Sequence, residues 1–239
     1  MEDQNPYSSL EVPPAAMAAA SERAEFLKKV YGILFLGVLG FAATLWGTAN
    51  VPFMHDAAKS LGDMIYGQRF GFLIYLGIFM GGSYLVHAVA ETKPINAIAY
   101  AAWVVLLGFL VAPLVLHIAD RNGMEIITQA SSITALVFLG LTAFVLVTGK
   151  DFSWMRGILT IAFWSILVVG LIGAFTSFGA GLWISWAIVL LFSGYILYDT
   201  SQILHHLPTS MAMSGAIMLF TDVVLLFKHI LILLASSRD

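Results

Sequence analysis

A chain of 239 residues that is 60% hydrophobic and only 10% charged is not an ordinary soluble domain, where about a quarter of residues carry charge. Its mean hydropathy of +0.91 points to an integral membrane protein. The net charge of −3, with no basic cluster, argues against a nucleic-acid partner, and the lack of cysteine excludes disulfides and thiolate metal sites.

Residues 1–25 are polar, acidic and alanine-rich, with Pro6, Pro13 and Pro14. They lack the basic opening and short apolar run of a secretory signal. A retained, flexible N-terminal tail is therefore expected, with a short interfacial helix over Ala15 to Lys29. Residues 26–239 are predicted to form one transmembrane domain. A span needs about 20 mostly apolar residues to cross the hydrocarbon. Seven such stretches follow, at 30–49, 70–90, 96–117, 129–148, 156–175, 181–205 and 212–234.

Asn50-Val51-Pro52 closes the first stretch, and Lys93-Pro94 divides the second from the third. Asp120 to Gly123 and Gly149-Lys150-Asp151 end the third and fourth, and His205 to Pro208 divides the last two. Gly77, Gly81 and Gly82 in the second span predict close helix packing. Six flanking basic residues (Arg23, Lys28, Lys29, Lys93, Lys150, Arg156) fall on the N-terminal side, against four (Lys59, Arg69, Arg121, Arg238) on the other. The bias predicts a cytoplasmic N-terminus and an external C-terminus.

The seventh span carries Asp222, Lys228 and His229 besides Ser214 and Thr221. Groups of this kind need screening from lipid, so the seventh helix is predicted to be central and wrapped by the first six. On the sixth span Tyr195, Asp199, Gln202 and His206 recur at helical spacing and share one face. Of fourteen acidic residues, only Asp199 and Asp222 lie inside apolar stretches. An acid at the bilayer centre costs about 2.5–3.5 kcal/mol on insertion scales, so two on consecutive helices call for a use. At 1.5 Å per residue they lie about 10 and 12 Å from the shared turn, close enough in depth to meet.

Two carboxyls in contact in a low dielectric share a proton and titrate as a unit. Losing that proton leaves two like charges that push the helices apart. The pair therefore reads as a pH-sensing gate whose oxygens also suit transient calcium contacts. The bland alternative is that each Asp only hydrogen-bonds a neighbouring group. Glu91, His87, Tyr195, Gln202 and His229 are candidate accessories; His229 lies seven residues after Asp222, on the same face.

The string Gly194-Tyr195-Ile196-Leu197-Tyr198-Asp199-Thr200-Ser201-Gln202-Ile203 resembles the sixth-helix signature of the Bax inhibitor (TMBIM) family. Leu219-Phe220-Thr221-Asp222-Val223-Val224-Leu225-Leu226-Phe227 resembles its seventh-helix segment. Ala135 to Phe138, Gly149-Lys150-Asp151-Phe152-Ser153 and the terminal Ser236-Ser237-Arg238-Asp239 are similar to the bacterial YccA-type branch. The resemblance implies a seven-helix, all-α membrane fold with a central last helix. It also implies a pH-dependent calcium leak gated by an aspartyl pair, carried here onto Asp199 and Asp222. Calcium is then the permeating ion, and no cofactor, firm metal site or catalytic residue is expected. The YccA-type branch implies a bacterial inner membrane and a second reading: a non-channel regulator of quality control bound to a membrane AAA protease of the FtsH type. The basic residue that latches the pair in calcium-leak relatives has no counterpart here, where the segment reads His87-Ala88-Val89-Ala90-Glu91.

An intramembrane aspartyl protease is a remote alternative. Tyr198-Asp199 fits its first motif, but Leu219-Phe220-Thr221 replaces the Gly-x-Gly required before the second aspartate. A retinal pump would use Lys228 but needs an aspartate where Val224 stands; Lys228 is instead expected to snorkel to the far interface. His205 and His206 point apart and have no carboxylate near in sequence, which predicts a solvated or pH-responsive turn rather than a metal site.

Overall fold

The computed structural model describes residues 14–68, 70–176 and 181–237. Its helices are α1 (Ala20–Asn50), α2 (Pro52–Tyr66), α3 (Gly71–Ala88), α4 (Ile95–Asn122), α5 (Met124–Thr148), α6 (Met155–Phe175), α7 (Gly181–His205) and α8 (Ala212–Ser236). All but α2 are long and apolar enough to cross a bilayer. The seven expected spans are therefore present, in an all-α membrane protein.

The sequence reading missed α2, a 15-residue helix broken up by His55, Asp56, Lys59 and Asp63. Its start is nevertheless written in the chain: Pro52 opens the helix, where a missing N–H costs nothing. The N-terminal boundary also moves. The tail expected to end at residue 25 meets α1 at Ala20, and the helix expected over Ala15–Lys29 is not a separate element but the start of the first span. Residues 1–13 lie outside the described part. Ahead of α1, Ala15–Met17 form a single 3-10 turn in which Ala15 is fully buried. Its N–H donates to Leu207 O at 2.9 Å, and Pro14 bridges Pro208.

Contacts at the helix ends define one face of the bundle, called here the near face. The Ala15 segment, the 89–94 loop, the 149–154 loop and the 206–211 turn all meet there. Thr209 Oγ1 donates to Glu22 at 2.7 Å, and Ser214 Oγ donates to Glu91. Helix α2 joins α1 to α3 at the opposite, far face.

Helix α8 is the most buried span, with 56% of its apolar window enclosed, against 6% for α6. It packs on α1, α3, α4, α5 and α7. The expectation of a helix wrapped by all six others goes further than this, because α6 leans on α7 and α3. Leu219, Phe220, Leu226 and Leu231 of α8 are fully buried. Phe220 meets Phe41 and Tyr100 edge-on, with ring centroids 6.3 and 5.7 Å apart. Of Gly77, Gly81 and Gly82, only Gly82 permits a close approach: a Cβ there would lie 2.6 Å from the Trp103 ring, whereas Gly77 and Gly81 face open space. A row of exposed apolar side chains on α6 (Ile158, Ile161, Trp164, Val168) gives the lipid-facing surface.

Candidate functional site

Helices α7 and α8 are antiparallel neighbours joined by the near-face turn, and each brings one acid to their contact. Asp199 lies six residues before the end of α7 and Asp222 ten residues after the start of α8, which puts them about 9 and 15 Å deep. Both are buried, with 6% and 5% of their surface exposed. Their carboxyls lie close enough to interact directly. Among the described residues, Asp222 Oδ2 meets no N–H or O–H donor. A carboxylate can only accept, so a hydrogen bond between the two acids would need a proton held between them.

Elsewhere on α7, Tyr31 of α1 faces the hydroxyls of Thr142 on α5 and Thr200 on α7, with none of the three hydroxyls in hydrogen-bond geometry. Three helices thus bring polar oxygen together inside an apolar bundle, where such groups are normally satisfied.

Of the expected accessories, the structure brings only Tyr195 to the pair. It interacts electrostatically with both acids, and its hydroxyl donates to Leu159 O at 3.4 Å. Gln202 turns away and donates to Ser153 Oγ at 3.1 Å. His229 shares the α7-facing side of α8 but sits deeper, with Nδ1 3.4 Å from Ser185 Oγ. His87 is exposed and bonds Ser83 O in its own helix, and Glu91 is exposed at the near end of α8. Lys228 Nζ lies 4.0 Å from the ring centroid of Tyr75, one turn from the far end of α3. No group of three or more His, Asp or Glu residues able to hold a metal ion occurs among the described residues.

Sequence reasoning missed two polar features around the pair. Buried Trp103 of α4 donates its indole N–H to Thr221 Oγ1 at 3.0 Å, one residue from Asp222. The Thr221→Val substitution keeps the shape but removes the acceptor. The unpaired N–H should cost about 1–3 kcal/mol and lower the melting temperature by a few degrees in a thermal scan in detergent; an unchanged melting point would mean that the indole finds another acceptor.

The second feature is a network between the 149–154 loop and the near end of α7. Asp151 Oδ2 lies 3.0 Å from His206 Nε2, and Asp151 Oδ1 accepts from the backbone N–H of Ser153 at 2.8 Å and from Ser201 Oγ at 3.3 Å. Ser201, fully buried, accepts from Phe152 N–H at 2.8 Å. His205 closes the set, with Nε2 3.1 Å from Gly149 O and Nδ1 3.1 Å from Ser201 O. Hydrogen bonds from the Ser153 side chain and backbone, then from His206, hold the Asp151 carboxyl well below the usual carboxylate range. Ionised Asp151 accepts, so His206 Nε2 carries the hydrogen. The only signal for this network in the sequence was the Gly149-Lys150-Asp151-Phe152-Ser153 string, which says nothing about its partner some 55 residues on.

The family described as "Inhibitor of apoptosis-promoting Bax1" matches residues 23–239. The chain is 30% identical to Bax inhibitor 1 of Schizosaccharomyces pombe, over 95% of its own length and 82% of the relative. It is 30% identical to protein lifeguard 4 of Mus musculus, over 97% and 91%. It is 28% identical to the Golgi anti-apoptotic protein of Vaccinia virus (strain Lister), over 100% and 94%.

Proposed function

The chain belongs to the Bax inhibitor family, and from that premise we propose that it is a pH-sensitive cation leak gated by Asp199 and Asp222. One observation carries the reading: two buried carboxyls on adjacent helices contact each other, and one oxygen of Asp222 has no other donor. With the shared proton in place, the pair ties α7 to α8. When the proton leaves, two anions face each other in a low dielectric, where repulsion is large. The hairpin then parts from its near end, and the carboxylates line the opening with oxygen. Oxygen-only linings suit hard cations, calcium among them. We place the near face in the cytoplasm, on the balance of basic residues.

The test is calcium flux into proteoliposomes as external and lumenal pH are varied together. Wild type should leak faster as pH rises, and the double Asp199→Asn, Asp222→Asn protein should lose that dependence. Absence of flux from wild type at every pH would sink the leak and favour the reading in which the chain acts by contact with a membrane AAA protease.

A further inference from the structure

The pair needs something to fix the near end of α7, because Asp199 lies only six residues before that end. Two obvious restraints are absent or misplaced. Among the described residues no basic residue faces the pair, and the turn joining α7 to α8 moves with the hairpin it connects. What does hold the end of α7 is the loop between α5 and α6. We infer that Asp151 is the positioning residue of the carboxyl pair: through Ser201 and His206 it clamps the end of α7 to a loop outside the hairpin, opposing the separation of α7 from α8. This deepens the leak reading and rests on it.

The geometry suits a clamp. Ser201 sits two residues beyond Asp199, is fully buried, and is held from both directions, accepting from Phe152 N–H and donating to Asp151. One turn on, His206 meets the other oxygen of the same carboxylate. A single exposed acid therefore grips the last turn of α7 and the residue just beyond it. Gln202 adds a third contact, donating to Ser153 Oγ at 3.1 Å, and Ser153 in turn donates to Asp151. Bonds to an ionised partner are the stronger kind.

The titratable and charged groups facing the clamp are His205 at the end of α7 and His206 just beyond it, Tyr198 from the preceding turn of α7, Arg156 from α6 and Arg23 from α1. Both ring nitrogens of His205 face carbonyl oxygens, of Ser201 and Gly149.

The test uses the full chain in liposomes, comparing wild type, Asp151→Asn, His206→Gln and Asp222→Asn for calcium flux against pH. Asp151→Asn should raise the leak at the acid end by about three- to tenfold, the size of one ordinary net hydrogen bond, and move the half-response to lower pH. His206→Gln, which keeps a donor for Asp151 in poorer geometry, should shift the curve the same way by less. Amide hydrogen exchange at Phe152 and Ser153 should quicken in Asp151→Asn and stay at the wild-type rate in Asp222→Asn. If Asp222→Asn flattens the response while Asp151→Asn and His206→Gln both superimpose on wild type, the clamp is wrong and the leak reading stands. If Asp222→Asn itself follows wild type, the leak reading fails and takes the clamp with it. Should Asp151→Asn not yield folded protein, His206→Gln decides alone.

Discussion

The Asp222→Asn protein is expected to fold and to leak at a rate that scarcely follows pH. The closed wild-type site holds a proton between two carboxyls; the open site holds two separated carboxylates. Opening therefore releases one proton, so the closed state gains as pH falls and loses as pH rises. Linkage sets the limit: one proton shifts the equilibrium by at most about tenfold, or about 1.4 kcal/mol, per pH unit. In the variant an amide N–H donates to the Asp199 carboxylate and no shared proton is needed. The rate should then change by less than about twofold over an interval where wild type approaches the one-proton slope. Calcium flux at several pH values measures it. A wild-type slope in the variant would move the response to groups outside the pair.

Truncating Phe220 should have the largest effect on stability of any single change considered. The ring is fully buried in α8 and contacts Phe41 of α1 and Tyr100 of α4 edge-on. Tyr100 in turn reaches into α1: its hydroxyl donates to Ile33 O at 3.2 Å, and it lies so close to Gly37 that no Cβ fits there. Phe220→Ala removes the wedge on which three helices close, at a cost of about 3–5 kcal/mol. Ile161→Ala, on the lipid-facing side of α6 with 69% of its surface exposed, deletes a side chain with few protein contacts and should cost under about 0.5 kcal/mol. Equilibrium unfolding in bicelles compares the two; similar losses would mean that the bundle is not organised around α8.

What the sequence disclosed follows from range. Each span is a local run of apolar residues, and all seven were readable for that reason. Asp199 and Asp222 stood out because acids are rare in such runs, and helix arithmetic alone put them at similar depth. Helix α2 was missed because its mixed polarity resembles a loop when only long apolar runs are sought. The Asp151 clamp was missed for a different reason. His205 and His206 have no acid beside them in sequence, and the one that serves them arrives from a loop about 50 residues earlier. Among the accessories on that face, Tyr195 lies beside both acids while Gln202 donates to Ser153, because a face shared at the near end of α7 looks toward the loop rather than toward α8.

The docking of Ala15 on Leu207 imposes an order on biosynthesis. The segment is made about 190 residues before its acceptor carbonyl. At ordinary translation rates of about 5–20 residues per second, that is a wait of roughly 10–40 s. The bond, and the Pro14–Pro208 bridge beside it, form only once the α7–α8 hairpin has been threaded into the membrane. A chain stalled before α7 leaves the Ala15 N–H without its partner. The docked segment thus reports that α7 and α8 are in place.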